Sequence, residues 1–447
     1  MLTGEWECFN FLTMKIIIIY FLVFLSSCAQ KQEYTNSISN NDGKKKILIL
    51  TNSNGGGHNA AALATKMALE PDYDVEIFDI LKDKIFGEEL FGYTSQKEYW
   101  MTLKYILKGK DFTEKFNKIY HGSYIENSIT EKNPDLLISV FPIGVAQYKE
   151  VSDKLNIPFV VIPTDFNADD LHFYGLDNFE NNADNDNKFR LFLPFANDKI
   201  AKSISNKTIK DSVRYTGYPV RKDFLLFANE YRKNRDIANK IKQEYNILTN
   251  EKTILIAMGG QSWAEDRIVD YVNEINNSRE KIIVNQPLHV FVVCGANDNL
   301  KQRILNISIL NKDALKIHIK QWVDGEEMAK LMAISDVIIA KPGGGTVAEI
   351  LAIAKNIIFK PDSTSVIDWE KENMLLVNEY GLGDRFKFGS LGFDKDDFIE
   401  KINKTLLKND KNNNLPPINE FYINAKNEID ILLSSNFEHH KPNNCKK

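Results

Sequence analysis

From Lys46 onward, short apolar runs alternate with helix-length stretches. Ile47-Leu48-Ile49-Leu50 has the length and residue type of a buried strand; a glycine-rich loop follows it, then a helical stretch from Ala60 to Glu70. Further strands are expected at 75–80, 135–140, 159–162 and 190–193. A second series is expected at 253–257, 290–294, 315–319, 337–340 and 357–360. Most of these runs do not alternate apolar with polar positions. Such a run predicts a strand buried on both faces, the condition of a parallel sheet covered by helices. Two such series predict an α/β chain of two doubly wound, Rossmann-like domains facing a central cleft, with ligands outside the carboxyl ends of the strands.

The segment Thr216-Gly217-Tyr218-Pro219-Val220-Arg221 puts Gly and Pro where the first series stops, which marks the crossing between domains. The expected spans are 46–221 for the first domain and 222–430 for the second. A leader (1–28) and a polar linker (29–45) precede them, and a disordered tail (431–447, with His439-His440) follows. The Asn/Asp-rich run 178–188 reads as a solvated loop insertion.

Composition narrows the function only by exclusion. A length of 447 residues suits two domains, and 43% hydrophobic with 26% charged residues is globular. A formal charge of -5 argues against a general nucleic-acid-binding surface. Four cysteines, at positions 8, 28, 294 and 445, form no disulfide framework.

The N-terminal pattern adds a membrane component. Met14-Lys15 precedes the apolar run Ile16–Leu25, too short for a spanning helix, which needs about 20 residues, but suited to a secretory h-region. The run ends in Leu25-Ser26-Ser27-Cys28, which resembles a bacterial lipobox; that implies cleavage before Cys28 and lipidation of its thiol. The other reading is an uncleaved hydrophobic anchor. The expected location is therefore membrane-associated, lipid-anchored through Cys28, with the face left open. Between Lys97 and Lys118, six lysines against three acids are interleaved with Trp100, Tyr105, Phe112 and Phe116. Such a stretch suits a bilayer interface and equally a helical lid over the domain's own core.

Candidate chemistry sits in the loops that follow strands. Asn54-Gly55-Gly56-Gly57-His58 lies between the first strand and a helix. Glycines allow close backbone approach, and the helix start offers unpaired N–H groups. His58, in the ligand crevice, is a candidate base or hydrogen-bond donor. In the second series Gly259-Gly260 follow the first strand, and Gly343-Gly344-Gly345-Thr346 open a helix carrying Glu349. Amides, a hydroxyl and the helix dipole converging on one point suit a diphosphate. A carboxylate one turn later suits vicinal ribose hydroxyls.

Taken together, these motifs resemble the two-domain glycosyltransferases of GT-B type. The branch is the family 28-like one that holds monogalactosyldiacylglycerol synthase, processive diacylglycerol glucosyltransferase and, more distantly, the peptidoglycan N-acetylglucosaminyltransferase. The resemblance runs from about Lys46 to about Phe386. It is carried by Leu50–His58, Pro134-Asp135 with Phe141-Pro142, Pro163-Thr164-Asp165-Phe166, Thr216–Arg221, Met258-Gly259-Gly260, Lys341–Glu349 and Glu370-Lys371-Glu372-Asn373. It implies an inverting hexosyltransferase that moves a sugar from a UDP-sugar to a lipid acceptor such as diacylglycerol, in glycolipid synthesis.

Residue by residue, the resemblance implies that the backbone near Trp322-Val323 meets the uracil, Glu349 the ribose and Gly343–Thr346 the diphosphate. Glu370 and Asn373 fall at the donor sugar. His58 and Asp165 flank the reacting hydroxyl beside the acceptor loop Gly55-Gly56-Gly57, with Asp165 the first choice of base and His58 close behind. Amides and the helix dipole can meet the leaving charge, so no metal or other cofactor is expected. Asp184-Asn185-Asp186 matches another fold's metal motif only superficially. Where the family commonly reads Pro-Gly-Gln-Glu-Lys-Glu-Asn, this chain has Ile367-Asp368-Trp369-Glu370-Lys371-Glu372-Asn373, which leaves the donor sugar open. The alternatives are a UDP-sugar epimerase of the same fold and a non-catalytic lipoprotein binding module.

Overall fold

Strands form where the apolar runs lie. In the first half these are β1 (Lys46–Thr51), β2 (Asp74–Asp79), β3 (Leu136–Ser139), β4 (Phe159–Val161), β5 (Phe189–Leu193) and β6 (Val213–Tyr215). They make one six-stranded sheet in the order β2-β1-β3-β4-β5-β6, parallel throughout. The second half has β7 (Lys252–Ala257), β8 (Leu288–Val293), β9 (Leu315–Lys320), β10 (Val337–Ala340), β11 (Ile357–Phe359) and β12 (Gly383–Arg385). Their order is β12-β11-β10-β7-β8-β9, again all parallel. A short antiparallel pair, Phe388-Gly389 with Gly392-Phe393, stands apart. The computed structural model describes residues 43–52, 56–80, 122–142, 144–166, 188–196, 207–259, 265–360, 368–389, 392–408 and 415–434.

Both sheets reverse their strand order beside the first strand of the half, between β1 and β3 and between β7 and β10. Such a switch point opens a crevice at the carboxyl ends of the strands. The carboxyl end of β1 and the loop after β10 lie there. The central strands are buried: Ile47–Leu50 and Val337–Ala340 all have no exposed surface.

Six helices position the site: α1 (Gly56–Leu69), α2 (Lys222–Lys233), α3 (Gly325–Ile334), α4 (Gly344–Ile353), α5 (Asp368–Glu379) and α6 (Phe421–Ser434). Three features depart from the sequence expectation. The first helix starts at Gly56, four residues before Ala60, because the glycines themselves form its first turn. Edge strands β6 and β12 have no apolar run to announce them, since each is three residues long and none of those residues is fully buried. The closing helix, expected to fall across the second domain and a disordered tail, instead returns to the first sheet. Its Phe421, Ile429 and Leu432 share a core with Ile47, Ile49 and Ile138. Gly217 makes room for that return: its φ is +88°, and a Cβ there would lie 2.6 Å from the Phe421 amide nitrogen. The described residues from Lys45 onward belong to one compact unit.

Several expectations fall outside the described residues: the leader with Cys28, the Lys97–Lys118 stretch, most of the 178–188 run with its Asp184-Asn185-Asp186, and His439-His440. Among the described residues no helix is long and apolar enough to cross a membrane.

Candidate active site

The first half brings His58, Thr164 and Asp165 to the carboxyl end of its sheet. His58, in the first turn of α1, packs edge-on against Phe141, with ring centroids 5.2 Å apart. Its Nδ1 lies 3.1 Å from the Val140 carbonyl oxygen and 2.9 Å from Thr164 Oγ1. A carbonyl can only accept, so the bond to Val140 requires Nδ1 to carry the proton. That tautomer makes Nε2 the basic nitrogen of the ring. Thr164 is held in turn by Tyr218, whose hydroxyl donates to the Thr164 carbonyl at 2.7 Å. Burial first, then the Asp165 and Glu349 carboxylates, push the Tyr218 hydroxyl well above its ordinary pKa, so it remains a donor.

The second half supplies the opposing wall. Helix α4 follows β10 through Lys341-Pro342-Gly343, and its N-cap Gly343 brings no side chain to its first-turn N–H groups. Those amides and the dipole make an anion-binding end. Gly344 abuts the first half: a Cβ there would lie 1.8 Å from the Thr164 carbonyl oxygen. Gly345 faces open space.

Two ion pairs flank this loop. Glu349 accepts from Arg221 Nη2 at 2.7 Å, and Glu370 pairs with Lys341 Nζ at 2.9 Å. Burial lowers the Arg221 pKa, but Glu349, with Asp223 and Asp324, outweighs it and leaves the guanidinium above its ordinary value. Asn373 is wholly buried and reaches across to Asp165, with Nδ2 2.8 Å from Oδ1.

The structure therefore brings His58, Asp165, Gly344 and Asn373 into one cluster through Thr164 and Pro342, with the Glu349 and Glu370 pairs beside it. Thr346 belongs to the first turn of α4. Gly259, with φ +94°, and Val323 lie past the carboxyl ends of β7 and β9, on the same rim of the second sheet. Gly57 is in α1 facing open space, Gly56 opens that helix, and Gly55 and Gly260 are outside the described residues.

Sequence reasoning assigned no role to Thr164, Tyr218, Arg221 or Lys341, which tie the cluster together. All four stand inside motifs already singled out, and their place at strand ends was the available signal. Among the described residues, no three His, Cys, Asp or Glu side chains cluster as metal ligands would.

Two six-stranded parallel sheets with this cluster at their carboxyl ends define a GT-B fold. The solved structure of Arabidopsis thaliana UGT89C1 complexed with UDP-L-rhamnose shares it: TM-score 0.51 at 10% identity, covering 88% of this chain and 99% of that one. Residues 233–420 match the family described as the glycosyltransferase family 28 C-terminal domain. The processive diacylglycerol beta-glucosyltransferase of Bacillus pumilus is 26% identical over 304 residues, 64% of this chain and 70% of that protein. The protein of the same description from Bacillus licheniformis is 24% identical over 361 residues, 77% and 83% respectively. The family match and these relatives support a glycosyltransferase of the family 28 type.

Proposed function

We propose that the chain is an inverting hexosyltransferase that moves a sugar from a UDP-sugar to a lipid acceptor such as diacylglycerol. The observation that carries this reading is the opposition, at the carboxyl ends of both sheets, of the α4 start and the His58–Thr164–Asp165 group. A donor diphosphate fits the amides of Gly343–Thr346, its ribose lies within reach of Glu349, and its uracil of the backbone at Val323. Glu370 stands beside the sugar. The acceptor hydroxyl oxygen attacks C1 from the first-half side. The bond from C1 to the diphosphate oxygen breaks, and UDP leaves with the electron pair. The acceptor proton passes to the Asp165 carboxylate or to His58 Nε2. One displacement inverts the anomeric centre. Charge growing on the leaving diphosphate meets amides and the helix dipole, so the reading calls for no metal.

The lipid acceptor rests on the similarity to the diacylglycerol glucosyltransferases, and anchoring through a lipidated Cys28 would hold the cleft near such an acceptor. The test is UDP release by the chain in detergent, with a panel of UDP-sugars, with and without diacylglycerol. Release that needs one sugar and the lipid together supports the proposal. UDP binding without release under any condition overturns it in favour of a binding module.

A further inference from the structure

Asn373 uses its whole side-chain amide between the two halves of the molecule. Nδ2 donates to Asp165 Oδ1 at 2.8 Å and to the Pro342 carbonyl at 3.0 Å, while Oδ1 accepts from the Phe166 amide at 2.9 Å. Each bond has the right polarity in only one amide orientation, since Nδ2 faces two acceptors and Oδ1 faces a donor. We propose that Asn373 is a positioning residue that orients the Asp165 carboxylate for proton transfer and ties that orientation to the diphosphate loop. This rests on the reading of Asp165 as base in a UDP-sugar-dependent transfer. It gives Asn373 a task other than contact with the donor sugar.

The surroundings explain why one amide can do this. The backbone at Thr164 is fixed by the Tyr218 hydroxyl and by the close approach of Gly344. What remains adjustable at Asp165 is the rotation of its side chain, and the Asn373 amide is one group that holds it. Helix α5 also grips the loop twice, through Glu370 on Lys341 and through Asn373 on Pro342. A donor that shifts the loop therefore shifts the hydrogen bond that aims the base. The base becomes well aimed only when the donor half is in register with the first half.

Among the described residues, the charged and titratable groups near this point include His58, through Thr164, and Tyr218, with the Arg221–Glu349 and Lys341–Glu370 pairs beyond. An amide N–H donated to a carboxylate favours its charged form. Removing it moves the acid limb of the kcat/KM profile to higher pH.

The variants are Asn373→Leu, close in shape but without the amide, and Asn373→Asp, which sets a second carboxylate against Asp165. They are compared with the unaltered full-length chain in detergent. In both, kcat falls on the order of 100-fold, the loss typical of a misaimed group. UDP affinity by calorimetry stays within about threefold in Asn373→Leu, and the acid limb shifts upward in both. Full kcat in Asn373→Leu overturns the inference while the proposed function stands. So does a lost kcat with an unmoved acid limb, which is a structural effect alone. A chain with no turnover on any UDP-sugar removes the proposed function instead. A double-mutant cycle of Asp165→Ala and Asn373→Ala in thermal unfolding then reads the bond without turnover: non-additive losses support it, and additive losses overturn it. The same cycle serves if Asn373→Leu fails to fold.

Discussion

Two glycine triplets open helices at the carboxyl end of a parallel sheet, one in each half, and they are glycine for different reasons. At Gly57 a Cβ would meet nothing within 4 Å, and the residue is exposed. There the glycine leaves open space next to His58 in the chain. At Gly344 a Cβ would lie 1.8 Å from the Thr164 carbonyl oxygen and 3.1 Å from the Asp165 Cα. There the glycine keeps contact between the two halves. Sequence patterns of the same kind thus serve access in one place and closure in the other.

The strongest way to sharpen this comparison is to remove the acid–base groups that the two loops bracket. Asp165→Asn is expected to lower turnover about 100- to 10,000-fold, the usual contribution of a positioned base, with UDP affinity in calorimetry unchanged. His58→Ala is measured beside it, and the larger loss identifies the base. Retained turnover in both variants would place the chemistry elsewhere.

Next come the glycines themselves. Gly344→Ala forces a methyl onto a backbone oxygen and is expected to destabilise the chain by about 1–3 kcal/mol in denaturant unfolding, with loss of activity. Gly57→Ala is expected to be neutral or to gain up to about 1 kcal/mol, since alanine favours the helix and nothing stands in its way. Equal responses would break the comparison.

Glu349→Ala is expected to weaken UDP binding by roughly tenfold or more, the scale of a hydrogen bond to a charged group, and to lower the unfolding transition as well, because Arg221 loses its partner. Unchanged UDP affinity would remove Glu349 from the donor site.

The smallest effect lies away from the cleft. His289, near the amino end of β8, bonds Glu251 through Nε2 and His318 through Nδ1. Burial, then His289, Lys316 and Lys320, push the His318 ring down to about 4, and burial also lowers His289 against the pull of Glu251. Unfolded histidines take up a proton near pH 6.5. Between there and about pH 4 the unfolded chain binds more protons than the folded one, so stability falls as pH falls. Tm should drop from pH 7 to 4.5, and His318→Gln should flatten that drop.

Much of the frame was legible because it is local. Runs such as Ile47–Leu50 and Val337–Ala340 are wholly apolar because both faces of a central parallel strand are covered, and their spacing announces the two sheets. The short edge strands β6 and β12 were not legible, since a strand with few buried positions leaves no run to read. Of the site, the residue types and their loops were visible, but not their partners. Thr164, Tyr218, Arg221 and Lys341 stood in the motifs without any sign of what each would touch.

By itself the sequence determined two doubly wound halves, the loops at their strand ends, and which side chains those loops carry. Each follows from neighbours within a strand, a turn or a helix start. Only the tertiary structure decided that Asn373 meets Asp165 across 208 positions and that Arg221 meets Glu349 across 128. It also decided that the last helix returns to the first sheet. These contacts depend on how two finished sheets close on each other. That closure is fixed by shape and hydrogen-bond geometry over the whole interface, and no local periodicity encodes it.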